Sequence, residues 1–458
     1  MMVHFAGEGS GVAEMSWGQL EIWGAMQRQR TWMPLPSRHP LPPGTTVDDV
    51  ADWVRYVMSR HQTMRTRLRL RFRPDGPPQQ VLHGSGEIAM DLVEAGHQDP
   101  IQVAKMMIDR YVEHDFDFAQ DWPIFVAVIL AEGTPVYRVV TICHLALDFF
   151  GARALLDDLD RRDKAGGTPP PPVTAADPLE QARWQRSPAG QRHNAAVLRH
   201  WTEQLRAMPA RRFPAPVDRG EPRYRLLSLD SPATHLAIQT IRHRTGATSV
   251  QVILTMFLVA LARATGINPS MTRVAVNNRF RRTLTDSVSV VTQYGLCVVD
   301  VAGITFDEAL ARLRRRIVGT FKYAYYDPIQ VAELVDQVGR ERGEEIDVHC
   351  YYNDRRQGED PPLVDPPPTP AAVVAALPDT SIVDQPLPRA GVTERLFAAV
   401  EDAAGSFRFL LEADTHHVSQ EVMVACVRGM EEIAVEAARD AAAPTGVPGP
   451  TPSLDRAR

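Results

Sequence analysis

Two apolar, β-branched runs, Ile124 to Leu130 and Val136 to Ile142, constrain this chain more than any other segment. They are joined through Glu132-Gly133-Thr134-Pro135, whose turn-forming composition predicts a hairpin connection between two strands. The second run delivers Cys143-His144 to a strand end. After Asp148, the stretch Gly151 to Leu159 places Ala154, Leu155 and Leu159 at helical spacing. His144 and Asp148 therefore fall in a strand-to-helix loop, a place suited to chemistry because a rigid scaffold holds both of its ends.

Other segments follow the same two periods. Val47, Val50, Trp53, Val54, Val57 and Met58 recur at helical spacing behind Thr45-Thr46, which predicts a helix over about 47–61 with a hydroxyl cap. Between Arg65 and Arg73 every second residue is arginine, alternating with Leu68, Leu70 and Phe72, which reads as the solvated face of an edge strand. Further helices are expected at about 249–264, 307–322 and 419–437. Strands are expected at Arg273 to Val276 and Glu345 to Tyr352, with a hairpin from Leu396 to Val400 and Phe407 to Leu411. Gly166-Gly167 and Pro169 to Pro172 suggest a connector. The organisation expected is an N-terminal lobe over 1–165, a linker over 166–190, a C-terminal lobe over 191–440 and a disordered tail over 441–458.

Composition bounds the function classes. With 44% hydrophobic and 23% charged residues in 458, the chain has ordinary globular usage. Fifty basic against 56 acidic residues, a formal charge of -6, argues against a nucleic-acid or anionic-membrane surface. Cys143, Cys297, Cys350 and Cys426 are scattered without a CxxC pair, so neither a disulfide framework nor a zinc knuckle is expected, and a reducing cytoplasm fits. Met1 to Gly11 lacks a signal-like progression, and no run reaches the ~18 apolar residues of a membrane span. His114, Asp115 and Asp117 lack a further nearby His or Cys to complete a metal shell, so no metal site is expected. His416-His417 precedes Ser419, a helix cap, and is rejected as a catalytic pair.

Four segments of the first half, in order, resemble the condensation domains of nonribosomal peptide synthetases. Ser16-Trp17-Gly18-Gln19-Leu20-Glu21-Ile22-Trp23 is similar to the opening SxAQxRLW, and Arg60-His61-Gln62-Thr63-Met64-Arg65-Thr66-Arg67-Leu68 to RHExLRTxF. Phe116-Asp117-Phe118 with Trp122-Pro123 is similar to FDLxxGPL, and Cys143-His144-Leu145-Ala146-Leu147-Asp148-Phe149 to HHxxxDG. Later, Arg273 to Arg279 resembles the family's run ending in Gly-Arg, with weaker echoes at Tyr326-Asp327-Pro328 and Tyr352-Asn353. The resemblance implies an α/β (α+β sandwich) fold of two chloramphenicol-acetyltransferase-like lobes forming a V around a central tunnel.

It also implies roles. His144 corresponds to the motif histidine that faces the tunnel, where an imidazole can take or orient a proton at neutral pH. Asp148 corresponds to the motif aspartate, expected to form an inter-lobe ion pair with Arg279. Cys143 replaces the first histidine as a small core residue. Phe149, Gly151, Tyr294 and Asn353 would line the tunnel. Phe149 stands where the motif has glycine, and Val290 to Gly295 lacks the usual GxFVNT.

Two functions follow from the resemblance. One is a free-standing condensation enzyme of natural-product biosynthesis, joining an acyl thioester to an amine or alcohol, with no intrinsic cofactor. Its phosphopantetheine or coenzyme A thioester would come with the substrate, on acyl or peptidyl carrier proteins acting in trans. The other, favoured by Phe149, is a catalytically silent condensation-like module that recruits or braces partner enzymes.

Overall fold

The computed structural model describes residues 1–69, 77–164, 171, 173–216, 219–357, 360, 362–387 and 394–449. The chain forms two compact units, Met1–Asn194 with Asn277–Gln293, and Ala195–Val276 with Tyr294–Arg458.

The central hairpin of the first unit is the one expected from the sequence. Ile124–Ala131 pairs antiparallel with Thr134–Cys143, and the register Ala131 to Thr134 leaves only Glu132 and Gly133 as the turn. Both have positive φ, 51° and 78°, the twist that a two-residue hairpin between right-twisted strands requires. The five-stranded sheet runs Met2–Ala6, Ser85–Glu94, Ile124–Ala131, Thr134–Cys143, Pro34–Pro40. Ile124–Ala131 is parallel to Ser85–Glu94 and covered on both faces, which explains its unbroken apolar run. Val126 and Val128 point to the core shared with Val54, Val57, Leu155 and Leu159; Ala127 and Ile129 point to Val103, Ala104 and Met107. Helix Val47–Arg60 begins with a reciprocal cap between Thr46 and Asp49 and buries Val50, Val54, Val57 and Met58.

The arginine row differs from expectation. Thr66–Arg69 is indeed the edge of a three-stranded sheet, but Arg65 is only 1% exposed. Its guanidinium donates to the carbonyls of Glu8, Gly9 (3.1 Å) and His83 (2.6 Å). Arg67 lies 3.5 Å from the Trp122 ring centroid, and among the described arginines of the row only Arg69 is exposed. Carbonyl oxygens and an aromatic face take the place of water for the buried cations. Arg71 and Arg73 lie outside the described residues.

Lobe boundaries are corrected as well. Residues 165–170 and 172 lie outside the described set, but within the expected 166–190 linker Pro178–Arg186 is a helix. Pro178 opens it at a position that needs no N–H donor, Asp177 and Glu180 cap it reciprocally, and Leu179 and Ala182 are buried. The division between units falls later, inside helix Pro188–Ala207.

The second unit is built on a seven-stranded sheet in the order Gln293–Val299, Ser270–Val276, Cys350–Asp354, Leu396–Glu401, Phe407–Asp414, Tyr224–Ser231, Ser381–Pro386. Helix Ser249–Thr265, capped by Thr248 with Gln251 and closed by Gly266 at φ 69°, is buried in the core with Gln420–Arg439. As expected, Ser419 caps that last helix. The expected disordered tail is packed as far as it is described. Ala443, Thr445 and Val447 are buried, and Thr445 bonds to the carbonyls of Val301 (2.7 Å) and Ile304 (2.8 Å). Residues 450–458 lie outside the described set. Among the described residues no single helix is long and apolar enough to cross a membrane, and no His, Cys, Asp and Glu group could hold a metal.

Candidate functional site

The strand Thr134–Cys143 ends at the loop 144–148, and helix Phe149–Lys164 follows at once. Two hydrogen bonds to backbone carbonyls fasten the strand end to a neighbouring corner. The Cys143 thiol donates to the Trp32 carbonyl (3.5 Å), and the His144 amide to the carbonyl of Met33 (3.2 Å), itself at φ 50°. Trp32 is fixed in turn by stacking on Phe116 (4.8 Å) and by its indole N–H on the Val112 carbonyl (3.3 Å). Cys143 is fully buried, and burial pushes its thiol up to about 12. Burial disfavours the thiolate that a nucleophilic role would need.

His144 is half-buried. Its Nδ1 lies 3.1 Å from the Leu147 carbonyl oxygen, which can only accept, so Nδ1 carries the hydrogen and donates it. The other ring nitrogen, Nε2, has no hydrogen-bond partner among the described residues. Burial pulls the imidazole below its ordinary pKa, against smaller opposite effects from backbone carbonyls and the Asp148 charge. At neutral pH the ring is uncharged, with the Nε2 lone pair open.

Asp148 has the opposite character. One carboxylate oxygen accepts from the Gly151 amide (2.7 Å) and Arg279 Nη2 (2.8 Å). The other accepts from Arg279 Nη1 (3.0 Å) and the amides of Val291 (2.9 Å) and Thr292 (2.8 Å). Burial pushes this carboxyl up, but the Arg279 guanidinium and the two amides outweigh it and hold it below the usual carboxylate range. Arg279 Nη2 also donates to the carbonyls of Ser287 (3.1 Å) and Ser289 (3.0 Å). The expected inter-lobe pairing is corrected, because Arg279 belongs to the Asn277–Gln293 segment of the first unit. That segment leaves strand Ser270–Val276 and turns at Asn278, whose φ of 56° an asparagine tolerates where the related motif has glycine.

The second motif supports the same loop from below. Arg60 binds Asp158 through Nε (2.7 Å) and Nη2 (3.0 Å), Tyr56 donates to it (2.9 Å), and His61 Nε2 lies 3.2 Å away. Burial raises this carboxyl, but the three partners depress it far below the usual range. Asp158 sits on the helix that leaves the loop, and the Thr63 hydroxyl donates to the Ala146 carbonyl (2.6 Å) inside it. Neither Asp158 nor the Trp32-Met33 corner was singled out from sequence. Asp158 follows Asp148 by ten residues with nothing local to distinguish it from Asp157 or Asp160.

The remaining expected site residues divide. Phe149 is 44% exposed, opens the helix with no positive φ, and meets Phe150 edge-to-face at 5.2 Å. Gly151 is corrected from a lining to a packing residue. It is buried, and a Cβ there would meet the Ser289 carbonyl oxygen at 2.6 Å, so the close approach requiring glycine sits two residues past the motif position. Tyr294 and Asn353 belong to the second unit, both half-buried on its sheet. Tyr294 meets Tyr351 edge-to-face at 4.9 Å, and its carbonyl accepts from the Tyr326 hydroxyl (2.9 Å).

Comparisons with known proteins give the family and the fold. Residues 36–359 match the family model of the Condensation domain. A relative described as a probable non-canonical nonribosomal peptide synthetase, CymA of Salinispora arenicola, is 27% identical over 310 residues, 62% of this chain and 4% of its own length. The chain thus spans a small fraction of this curated relative. Among solved structures, the X-domain from teicoplanin biosynthesis matches with a TM-score of 0.71 at 16% identity, over 98% of this chain and 99% of that one. The condensation domain of chain release from the enacyloxin polyketide synthase matches at 0.67 and 18%, over 98% and 86%. At these identities the structural likeness establishes the fold.

Proposed function

Because this chain belongs to the condensation-domain family, we propose that it is a condensation enzyme joining a thioester-bound acyl group to an amine or alcohol acceptor. The observation that carries this reading is the orientation of His144. With Nδ1–H held on the Leu147 carbonyl, the neutral ring has its free lone pair on Nε2 and can accept a proton from an acceptor as it attacks. The acceptor nitrogen or oxygen bonds to the thioester carbonyl carbon, its proton passes to Nε2, and the C–S bond breaks. The departing thiolate then takes the proton back from the imidazolium. A thioester is already activated, so holding the two reactants together supplies much of the acceleration.

Asp148 has no part in proton transfer under this reading, since five donors already occupy its oxygens. The protein brings no cofactor of its own. The acyl group arrives on phosphopantetheine of a carrier protein, or on coenzyme A, and the acceptor is a small amine or alcohol.

The test is product formation, read by mass spectrometry with a set of acyl thioesters and amines. His144→Ala is expected to lower turnover by about 10²–10⁴-fold, the span of a positioned acid–base group, with unchanged melting. Equal yields from the two proteins would remove His144 from the chemistry. A second reading, a silent module that recruits partner enzymes, is favoured by the exposed Phe149 in the motif's glycine position. No product from wild type with any pair would make it the better account.

A further inference from the structure

Nothing in the fold asks for an aromatic ring at position 149. The backbone there is ordinary helix, the close approach is made by Gly151, and the ring leaves 44% of its surface exposed. Its neighbour in the chain, however, is tightly held. Phe149 follows directly on Asp148, whose carboxylate is fastened by Arg279 and by the amides of Gly151, Val291 and Thr292. Its ring is steadied on one side by the edge-to-face contact with Phe150, and Phe150 in turn lies 5.8 Å from the Arg279 guanidinium carbon. Leu147, whose carbonyl holds His144, is two residues away, so their Cα atoms lie within about 7 Å by chain geometry alone. An exposed phenyl ring that directly follows the loop carrying His144, and that meets Phe150 edge-to-face, is a recognition surface for another flat apolar group.

We propose that Phe149 is a specificity-determining residue that stacks on an aromatic group carried by one of the two reactants. This rests on the reading of the protein as a condensation enzyme. The chemistry is the same whether the ring is borne by the acyl thioester or by the acceptor.

The experiment crosses benzoyl and hexanoyl N-acetylcysteamine thioesters with phenethylamine and butylamine in equimolar competition, for wild type, Phe149→Ala, Phe149→Leu and Phe149→Tyr. Product ratios are read by mass spectrometry. Wild type is expected to favour the aromatic partner, and the preference to fall about three- to tenfold in the Ala and Leu variants while Tyr retains it. The arm in which the ratio falls identifies the reactant. An unchanged ratio in Phe149→Ala, or an equal fall in Phe149→Tyr, overturns the proposal. Saturation-transfer NMR with the same four compounds reads binding without turnover. Wild type that makes no product sinks the enzyme reading, while wild type that binds aromatic and aliphatic compounds equally sinks this one.

Discussion

His144 and Asp148 lie four residues apart on one loop, and the protein treats the two ends of that loop in opposite ways. At the Asp148 end every acceptor site is filled, by a guanidinium and three backbone amides, and the chain is tied to residues 279–292. At the His144 end a single ring nitrogen is tied, to a carbonyl three residues on, and the other is left open. A group whose bonding capacity is spent in the ground state is poorly placed to move protons. A group held by one nitrogen has its direction and tautomer set and its chemistry intact. The contrast separates the part of the motif that builds the loop from the part whose bonding capacity is left for the chemistry proposed here.

The largest expected effect tests the building end. Asp148→Ala leaves Arg279 buried without its counter-charge, 7% exposed, and should cost about 3–5 kcal/mol, read as a large fall in melting temperature. Wild-type melting with lost activity would contradict the contrast by giving Asp148 a direct chemical role.

Asp158 provides the next test. Asp158→Ala removes the partner shared by Arg60, His61 and Tyr56, and about 2–3 kcal/mol of stability is expected to go. Both carboxyls are depressed in the fold, so the stability they add is complete above the unfolded carboxylate value of ~4 and is lost as pH falls through the folded values. Acid unfolding below about pH 4 should therefore be less steep in the Asp158→Ala protein. An unaltered acid limb in a denaturation series would remove the network from the account.

The smallest effect concerns Cys143. With its thiol pushed up to about 12 by burial, the native protein should leave it unalkylated by iodoacetamide near neutral pH. Cys143→Ala should keep turnover within a few-fold of wild type at a cost of about 1 kcal/mol. Rapid native-state labelling at Cys143 with loss of turnover would show that the strand end is open chemistry and not core.

What the sequence made legible follows the same division. Local patterns were sufficient for the hairpin, the cap at Thr46, the helix over about 249–264, though its cap is Thr248 and not Ser249, and the loop that holds His144 and Asp148, since each is decided by periodicity and turn chemistry over a few residues. The pairing of Asp148 with Arg279 was also legible through its motifs, but not which unit Arg279 joins, because residues 277–293 belong to the first unit without a change in composition to mark it. The buried Arg65 read as solvated because alternation cannot tell water from backbone carbonyls 57 residues distant in the chain. Asp158 and the Trp32-Met33 corner were invisible for a related reason: their partners are about 100 residues away. The packed Ala443 to Val447 looked like a tail because its few apolar side chains fit a groove that only the finished fold provides.

The central claim is that His144 is a neutral base held through Nδ1, and nitrogen-15 NMR of the histidine-labelled protein measures it directly. The account predicts an Nδ1–H tautomer at pH 7 with an unprotonated Nε2, titrating below the ordinary imidazole value of ~6.5 and in step with the acid limb of the rate profile. An Nε2–H tautomer, or an imidazolium at neutral pH, would contradict it.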